Sequence, residues 1–243
     1  MSTDLTIEHI LITGSKELGL SLSKKQIQQL IQFSILLQKW NTKMNLTGIT
    51  DSKEIAIKHI LNSLSVVSTC SIAPNSTIID VGTGAGLPGI PLAIAFPNSR
   101  LTLLDSLQKR ITFLDTVISE IELHNVTTIH GRAEDLGQDA NHREQYDIAV
   151  SRSVAALPVL AEYCIPFVTV GGHFISYKQI GVDHEITEAT NALSLLGASL
   201  EVQKEIQLPF STITHQFLSI QKNSPTPHKY PRRAGKPKKK PLS

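Results

Sequence analysis

The sequence predicts an α/β fold, in which helices cover both faces of a mostly parallel, seven-stranded sheet and a helical extension precedes the sheet. From about residue 76, strand-like runs alternate with helix-like runs, an order typical of doubly wound sheets. The last two strand-like runs have no helix between them, which predicts an antiparallel hairpin at one edge of the sheet. The first 70 residues show only helical spacing of apolar side chains.

The helical extension, residues 1–70, contains two clear helix starts. Ser23 and Gln26 have the spacing of a capping box in front of apolar residues at helical intervals. Asp51 and Glu54 have the same spacing in front of a second helical run. A short amphipathic segment precedes both, and a polar turn separates them. We therefore expect three helical segments that pack on the domain that follows.

The α/β domain, residues 71–222, contains the strand-like runs. In chain order they read TIIDV, RLTLLD, VTTIH, YDIAVS, GGHFISYK, SLEVQKEIQL and THQFLSIQK. Helix-like runs lie between the earlier ones, for example at about 107–123, 157–168 and 182–198. Five parallel units followed by a terminal hairpin is a more specific prediction than a generic nucleotide-binding fold.

The composition argues against several classes of protein. The two cysteines of the 243-residue chain, Cys70 and Cys164, lie far apart and lack the spacing of metal ligands. No run approaches the roughly 18 consecutive apolar residues of a membrane helix, and the first residues show no signal-peptide pattern. We expect a cytoplasmic protein with reduced thiols, no metal and no membrane contact, present as a monomer.

Basic residues are concentrated at the C-terminus. The formal net charge is +2, but the segment from Lys222 onward holds eight Lys or Arg residues and no acid, which leaves 15 basic and 21 acidic residues elsewhere. Residues 223–243 are predicted to be a flexible basic tail with a polyanion partner, although such tails can also act only as solubilising segments. The expected RNA contacts combine this tail with one lysine after the fifth strand: Lys178, Lys229, Arg232, Arg233, Lys236, Lys238, Lys239 and Lys240.

A glycine-rich loop, in the stretch IIDVGTGAGLPGIPLAIAF, follows the first strand and opens a helix. Its ligand should therefore lie at the carboxyl ends of the strands. A mononucleotide phosphate loop is excluded, because no Lys-Ser or Lys-Thr pair follows the glycines. Gly84, Gly86 and Gly89 match the dinucleotide pattern GxGxxG, although that pattern alone is weak evidence.

Acidic residues at the ends of three strands favour S-adenosylmethionine over a dinucleotide. Asp80 precedes the loop, where a carboxylate suits an ammonium and a sulfonium but would repel a pyrophosphate. Asp105 ends the second strand and suits the two ribose hydroxyls, and Ala133 and Glu134 follow the third strand and suit the adenine. The alternative is that Asp80 and Glu134 only cap helices.

Several segments together resemble one family. DVGTGAGLPGIPLAI, LLDSLQKRITFL, GRAED, DIAVSRSVAAL, KWNTKMNLTGIT and KHILNSLSV resemble the ribosomal RNA small subunit methyltransferase G family, also called the glucose-inhibited division proteins B, from about residue 38 to 242. The resemblance implies a Rossmann-like class I S-adenosylmethionine-dependent methyltransferase that modifies N7 of guanine 527 in the 530 loop of 16S rRNA. The implied cofactor contacts, joined to those above, are Asp80, Gly82, Gly84, Gly86, Leu87, Asp105, Ser106, Leu107, Ala133, Glu134 and Arg152.

Three positions depart from the family pattern. Ser153 stands where alanine is common, and Gln179 stands where glycine is usual. Gln216 lies near a position that is often basic, where the resemblance implies an RNA contact.

The residues agree with guanine N7 as the acceptor mainly by what they lack. After the fourth strand there is no (Asn/Asp)-Pro-Pro-aromatic loop for an exocyclic amine, and Cys164 lies in an apolar helical context that favours an inert thiol over a nucleophile. Guanine N7 carries a lone pair, so alignment suffices and no base is needed. Methylation of a 2′-hydroxyl stays open, as it needs only a lysine or a similar base.

Arg152 is the residue most strongly indicated as catalytic, because its planar fork after the fourth strand suits guanine, phosphate or a carboxylate. A surface arginine is the alternative. His59, Asn62 and Lys58 lie near the cofactor mouth, as the resemblance suggests, or they only cap a helix or make contacts at the edge of the core. Lys109 is expected on a solvated or RNA-facing helix edge.

Arg110 is expected on that same helix edge, and Trp40 and Asn41 are interpreted as a packing motif. Two other functions stay open: a non-catalytic RNA-binding protein that keeps a cofactor fold, and a nicotinamide-dependent reductase.

Overall fold

The structure is a computed structural model that describes residues 5–152 and 154–242. Within these residues, seven strands form one sheet. They are β1 (Thr77–Val81), β2 (Arg100–Asp105), β3 (Val126–His130), β4 (Tyr146–Arg152), β5 (Val168–Gln179), β6 (Ala198–Gln207) and β7 (Thr214–Lys222). Each lies where the sequence predicts a strand, to within a few residues.

The strand order is β3-β2-β1-β4-β5-β7-β6. β1 to β5 pair in parallel, for example Asp80 with Leu103 of β2 and with Val150 of β4. β7 runs antiparallel to β5 and is followed at the edge by its hairpin partner β6. The predicted mostly parallel sheet with an antiparallel terminal hairpin is confirmed. All five parallel strands end at the same edge of the sheet, so the residues that follow them meet there.

The extension contains the three predicted helical segments. Its elements are α1 (Ile7–Glu17), α2 (Lys24–Asn41), α3 (Ser52–Glu54), a π-helix (Ile55–Leu61), α4 (Asn62–Leu64) and a 3₁₀ turn (Ser65–Ser68). The capping box of Ser23 and Gln26 is present, and Asp51 accepts from the amide of Glu54 at 2.9 Å. From 52 to 64 the chain is one continuous helical segment whose centre is π-helical, a local widening often found at functional sites.

The helices between the strands also follow the prediction. They are α5 (Gly89–Ala95), α6 (Gln108–Glu120), α7 (Ala133–Leu136), α8 (Leu157–Cys164), a 3₁₀ turn (Ile165–Phe167) and α9 (Asp183–Leu196), and α10 (Lys236–Lys239) lies in the C-terminal segment. α9 ends at Gly197 in the left-handed conformation, with φ of +80°, as helices often do.

Two apolar cores lie on the two faces of the sheet. One joins the extension to the domain, since Leu30 and Phe33 of α2 belong to the same cluster as Ile78 and Phe113. Trp40 packs against Phe113 with ring centroids 5.6 Å apart, in agreement with the packing interpretation. The extension therefore shares its core with the sheet, and the division of the chain at residues 70 and 222 stays a prediction.

The second core includes the C-terminal segment, which corrects the expectation of a flexible tail. Tyr230 and Leu242 are 6% and 9% exposed and belong to the cluster that α8 and α9 form with the sheet. Arg143 donates to the backbone oxygens of Thr226 and Tyr230 at 2.6 and 2.7 Å. The reason is long-range: partners far away in the sequence hold this segment against the domain.

Candidate cofactor and RNA site

A large cavity lies at the carboxyl ends of the parallel strands. It has a volume of about 520 Å³ and opens between the glycine loop, the 52–64 helical segment and the ends of β4 and β5. A second cavity of about 380 Å³ adjoins it, and Gly82, Asp105, Ser106 and Val154 line both. The two together make an elongated cleft at the edge where the fold predicts a ligand.

Most of the predicted cofactor residues meet in this cleft. Gly82, Gly84, Leu87, Asp105, Ser106 and Arg152 line the first cavity, and Ala133 and Glu134 line the second. The remaining predicted residues support the cleft from behind or beside it: Asp80, Gly86 and Leu107.

The glycine loop leaves its backbone exposed to the cleft. Gly82, Gly84 and Gly86 all have positive φ, between +60° and +80°, where a residue with a Cβ is disfavoured. A Cβ at Gly82 would lie 2.7 Å from Val154 across the cleft, so glycine is needed there for space as well. The amide of Gly82 donates to the carbonyl of Leu104 at 2.9 Å, which ties the loop to the end of β2.

Asp80 stabilises the glycine loop through hydrogen bonds from the protein interior. Its Oδ2 accepts from Thr83 Oγ1 at 2.7 Å and from the amide of Gly89 at 2.8 Å, and the residue is 1% exposed. Burial raises the pKa of this carboxyl to about 6, despite these hydrogen bonds and the nearby charge of Arg152. Its Oδ1 finds no partner among the described residues. The helix-cap interpretation therefore describes part of its role.

Asp105 is an acidic residue that lines both cavities. Its Oδ2 accepts from the amide of Gly84 at 2.9 Å and from Arg110 Nη1 at 3.1 Å, and its Oδ1 accepts from the amide of Leu107 at 2.9 Å. Arg110 therefore forms an ion pair with Asp105 at the cleft, which differs from the expected solvated or RNA-facing edge. Leu107 itself is 43% exposed.

Arg152 ends β4 and is held by the extension. Its Nη1 donates to Asn62 Oδ1 at 2.8 Å. Burial lowers the pKa of the guanidinium, and the neighbourhood of Tyr177 and Asp80 opposes that effect. Arg152 is therefore a partly buried, oriented cation at the cleft, and the interpretation as an ordinary surface arginine does not fit.

The 52–64 helical segment brings His59 into the same cluster. His59 Nε2 and Thr47 Oγ1 lie 2.7 Å apart, and Asn41 fixes the turn that carries Thr47 by accepting from its amide at 2.9 Å. Burial, followed by the charge of Arg152, lowers the pKa of His59 to about 4, so the ring is neutral at pH 7. Asn62 Nδ2 and His59 Nδ1 find no partner within the described part of the chain.

Sequence reasoning missed Thr47 and Tyr177. Thr47 lies in a polar turn with no pattern that marks it, and only the fold brings it to His59. Tyr177 lies near the carboxyl end of β5 and lines the cavity, and its hydroxyl donates to the Ser63 carbonyl at 2.8 Å. An aromatic residue with a polar tip at the end of a parallel strand was a usable signal for it.

Two of the expected RNA contacts lie inside ion pairs instead. Lys178 Nζ is 2.6 Å from Glu185 Oε2, and its side chain is 9% exposed. Arg232 Nη2 is 2.6 Å from Glu162 Oε2, and Glu162 is fully buried. The other basic residues of the predicted set are exposed: Lys229, Arg233, Lys236, Lys238, Lys239 and Lys240.

The positions that depart from the family pattern have different surroundings. Gln179 is exposed and lines the first cavity. Gln216 is 1% exposed, which does not suit an RNA contact. Ser153 lies outside the described residues.

Comparison with known proteins identifies the family. The family described as GidB, rRNA small subunit methyltransferase G, matches residues 26–211. The chain belongs to this family. A protein named ribosomal RNA small subunit methyltransferase G from Alkaliphilus metalliredigens (strain QYMF) is 52% identical over 96% of this chain and 98% of its own length. A protein of that name from Alkaliphilus oremlandii (strain OhILAs) is 50% identical over 98% of this chain and 100% of its own length.

Two solved structures have folds similar to that of this member of the methyltransferase G family. A ribosomal protein L11 methylase from Lactobacillus delbrueckii subsp. bulgaricus aligns with a TM-score of 0.50 and 16% identity, over 69% of this chain and 79% of that chain. A mutant of MtNAS aligns with a TM-score of 0.55 and 13% identity, over 90% of this chain and 86% of that chain. At these identities the likeness concerns the fold alone.

Membership of the methyltransferase G family decides between the ligand classes that the glycine loop left open. The chain is an rRNA methyltransferase, and its cofactor is S-adenosylmethionine. The dinucleotide and the reductase alternatives are wrong. Burial raises the pKa of the Cys164 thiol well above its usual value, in agreement with an inert thiol.

Proposed function

We propose that the chain transfers a methyl group from S-adenosylmethionine to N7 of guanine 527 in 16S rRNA. The observation that carries this proposal is the position of Arg152, an oriented guanidinium beside the glycine loop. The two imidazoles that line the same cavity, His59 and His215, both have a lowered pKa, because both are buried. An acceptor that already carries a lone pair suits such a site, because it needs alignment and no deprotonation.

The residues of the cleft fit the parts of the cofactor. Asp105 would hold the ribose hydroxyls, and Ala133 and Glu134 would line the adenine. The exposed backbone around Gly82 and the carboxyl groups of the cleft suit a cationic methionine end. When bound, S-adenosylmethionine supplies an electrophilic methyl group on a sulfonium.

Arg152 would hold the guanine so that N7 stays free. A guanidinium that donates to O6 or to a neighbouring phosphate leaves the N7 lone pair for the methyl carbon. Arg152 would thus only have to hold the ring so that N7 is in line with the methyl group that the bound cofactor would supply. No proton leaves the base. Asn62 orients Arg152 and is therefore a positioning residue.

The weak basicity of His59 supports this acceptor against a ribose hydroxyl. A 2′-hydroxyl must lose its proton during transfer, which calls for a base with a pKa near the working pH. The pKa of His59 is about 4, and burial also lowers the pKa of His215, which lines the same cavity. Lys178 is ion-paired with Glu185.

The exposed lysines beside the cleft would bind the RNA backbone, in particular Lys238 and Lys239, which line the second cavity. No helix in residues 5–152 and 154–242 is long and apolar enough to cross a membrane, and no group of His, Cys, Asp and Glu side chains there could hold a metal ion. A cytoplasmic location and a monomeric state complete the proposal.

A transfer assay with isotopically labelled S-adenosylmethionine tests the proposal. Unmodified small-subunit RNA and 30S particles are offered in parallel, and product nucleosides are separated by mass. We expect the label in 7-methylguanosine, and the ratio between the two substrates reports the preferred state of assembly. A guanine-527-to-adenine RNA is the matched control and should take up no label. Label in any other nucleoside would refute the proposed acceptor.

A further inference from the structure

The C-terminal segment lies against the cofactor cleft. We call residues 232–240 the strap. Gly235, Lys238 and Lys239 of the strap line the 380 Å³ cavity, on whose other walls lie Asp105, Ala133 and Glu134. The end of the chain thus forms part of the cavity that extends from the ribose-binding carboxylate.

The strap is anchored at its start by a buried ion pair. Arg232 donates through Nε to Glu162 Oε1 and through Nη2 to Glu162 Oε2, at 2.8 and 2.6 Å, and its backbone amide donates to Oε1 at 2.8 Å. Glu162 lies on α8 and is fully buried. A buried carboxylate needs this pairing, so the position of the strap is strongly specified.

A hydrogen bond also joins the two ends of the strap. Arg232 Nη2 donates to the carbonyl of Lys240 at 2.8 Å. The buried side chains of Tyr230 before the strap and Leu242 after it belong to the core that includes α8, and Pro237 within the strap is buried as well. Residues 232–240 are therefore held at both ends.

The strap reaches Glu134 through a backbone hydrogen bond. The amide of Gly235 donates to Glu134 Oε1 at 2.7 Å. Glu134 is 7% exposed, lies in α7 after β3, and lines the second cavity. One carboxylate oxygen is thus fixed by the strap, which sets the direction of the other.

We propose that the strap is part of the cofactor site and closes its adenine end. In this assignment Gly235 is a positioning residue that orients the carboxylate of Glu134 towards the amino group of the adenine. The inference rests on S-adenosylmethionine as the cofactor, but it does not depend on which base of the RNA is methylated.

A matched pair of glycine variants tests the proposal. Gly235 has φ of +79° and Gly171 has φ of +89°, and a Cβ at either position would meet no heavy atom of the described residues within 4 Å. Gly171 lies near the amino end of β5, at the opposite edge of the sheet. Both Gly235→Ala and Gly171→Ala therefore strain the backbone without a clash, but only the first lies at Glu134.

The readout is the dissociation constant of S-adenosylmethionine, measured by isothermal titration calorimetry without RNA. We expect Gly235→Ala to weaken binding about tenfold, the equivalent of about 1.4 kcal/mol, and Gly171→Ala to leave it unchanged. In steady state, Gly235→Ala should raise the KM for S-adenosylmethionine and retain kcat at saturation. An unchanged dissociation constant for Gly235→Ala, or an equal loss in Gly171→Ala, would overturn the proposal.

A chain that ends at Arg233 gives a second measurement. It retains the Arg232–Glu162 pair and lacks the part of the strap that lines the cavity, so we expect a loss of affinity at least as large. Full affinity in a truncated chain that thermal unfolding shows to be folded would also overturn the proposal. A chain that binds the cofactor in a strap-dependent manner but forms no 7-methylguanosine would refute only the proposed acceptor.

Discussion

The two walls of the cofactor cleft are built in different ways. The glycine-loop wall is held by contacts between neighbours in the chain or in adjacent strands, such as the Asp80 carboxylate with the amide of Gly89. The strap wall is held by contacts between residues 70 and 101 positions apart, Arg232 with Glu162 and Gly235 with Glu134. One wall is therefore local and the other depends on distant partners.

The two walls also treat a buried carboxyl group differently. Asp80 accepts hydrogen bonds but forms no ion pair with residues 5–152 and 154–242, and burial raises its pKa to about 6. Glu162 has a bidentate arginine, and this carboxylate in turn raises the pKa of Arg232. The charge of a buried carboxylate is either removed by protonation or compensated by an ion pair with a cation. The loop wall is therefore sensitive to pH, and the strap wall is sensitive to the loss of its cation.

The largest expected effect comes from the cation that faces the loop wall. Arg152→Ala removes the only group we assign to orient the guanine, so we expect transfer to fall at least about a thousandfold, which corresponds to about 4 kcal/mol of activation free energy. The fold should survive, as judged by thermal unfolding. Arg100 begins β2, at the edge of the sheet away from the cleft. Arg100→Ala is therefore the matched control and should keep full activity. Unimpaired turnover of Arg152→Ala would remove this residue from the site.

The next effect tests the dependence of the strap wall on its ion pair. Arg232→Met leaves Glu162 buried without its cation, and we expect a loss of about 3–5 kcal/mol in the free energy of unfolding. The double variant Glu162→Leu with Arg232→Met removes both charges and should recover most of that loss. Urea denaturation measures both. A single variant as stable as the double variant would show that the pair does not anchor the strap.

The contrast between the walls explains how much of the fold could be predicted. The strands from β1 to β7 and the capping boxes were predictable because periodicity and caps act over a few residues. The glycine loop and Asp105 were predictable because they follow strands, and parallel strands end at a common edge. The flexible-tail prediction failed because composition does not reveal a buried carboxylate such as Glu162, 70 positions before Arg232.

The polar cluster at Arg152 shows the same limit within the site. Arg152 was predictable from its place at the end of β4. For Asn62 the sequence left open whether it lies near the cofactor mouth or is only a structural helix residue. Thr47 was missed because the π-helical centre of the 52–64 segment sets which side of His59 faces it. Spacing rules for an α-helix do not apply across a π-helix, whose residues are wound more widely.

A smaller effect is the pH dependence of stability, to which Asp80 and His59 contribute with opposite signs. The folded-state pKa of Asp80, about 6 against an ordinary 3.8, favours the folded state at low pH, and this contribution disappears as pH rises from 4 to 6. The folded-state pKa of His59, about 4 against 6.5, favours the folded state above pH 6.5, and this contribution disappears as pH falls to 4. Each is worth about 3 kcal/mol, and the two oppose each other.

Single variants should separate these two contributions. Asp80→Asn leaves His59 unopposed, so its stability should fall more steeply than that of the unmodified chain between pH 6.5 and 4.5. His59→Gln removes one contribution that is lost on acidification, while that of His215, whose pKa burial also lowers, remains. The stability of His59→Gln should therefore fall less steeply than that of the unmodified chain over the same acidification. Urea midpoints at the two pH values report the difference. Slopes that differ from that of the unmodified chain in the same direction in both variants would contradict the assignment.

The smallest expected effect concerns the charges that the strap carries. Lys238 and Lys239 are exposed on the strap, and if both neutralise phosphates, Lys238→Gln with Lys239→Gln should reduce the salt slope of RNA binding by about 1.4, or about 0.7 per single-stranded phosphate. Lys24→Gln with Lys25→Gln, an adjacent exposed pair at the start of α2, changes the net charge equally and should leave the slope nearly unchanged. Fluorescence anisotropy with an RNA of the 530 loop across a salt series measures both pairs. Equal slopes for the two double variants would mean that the strap serves the cofactor wall alone, and that its lysines do not distinguish this edge of the molecule from any other basic surface.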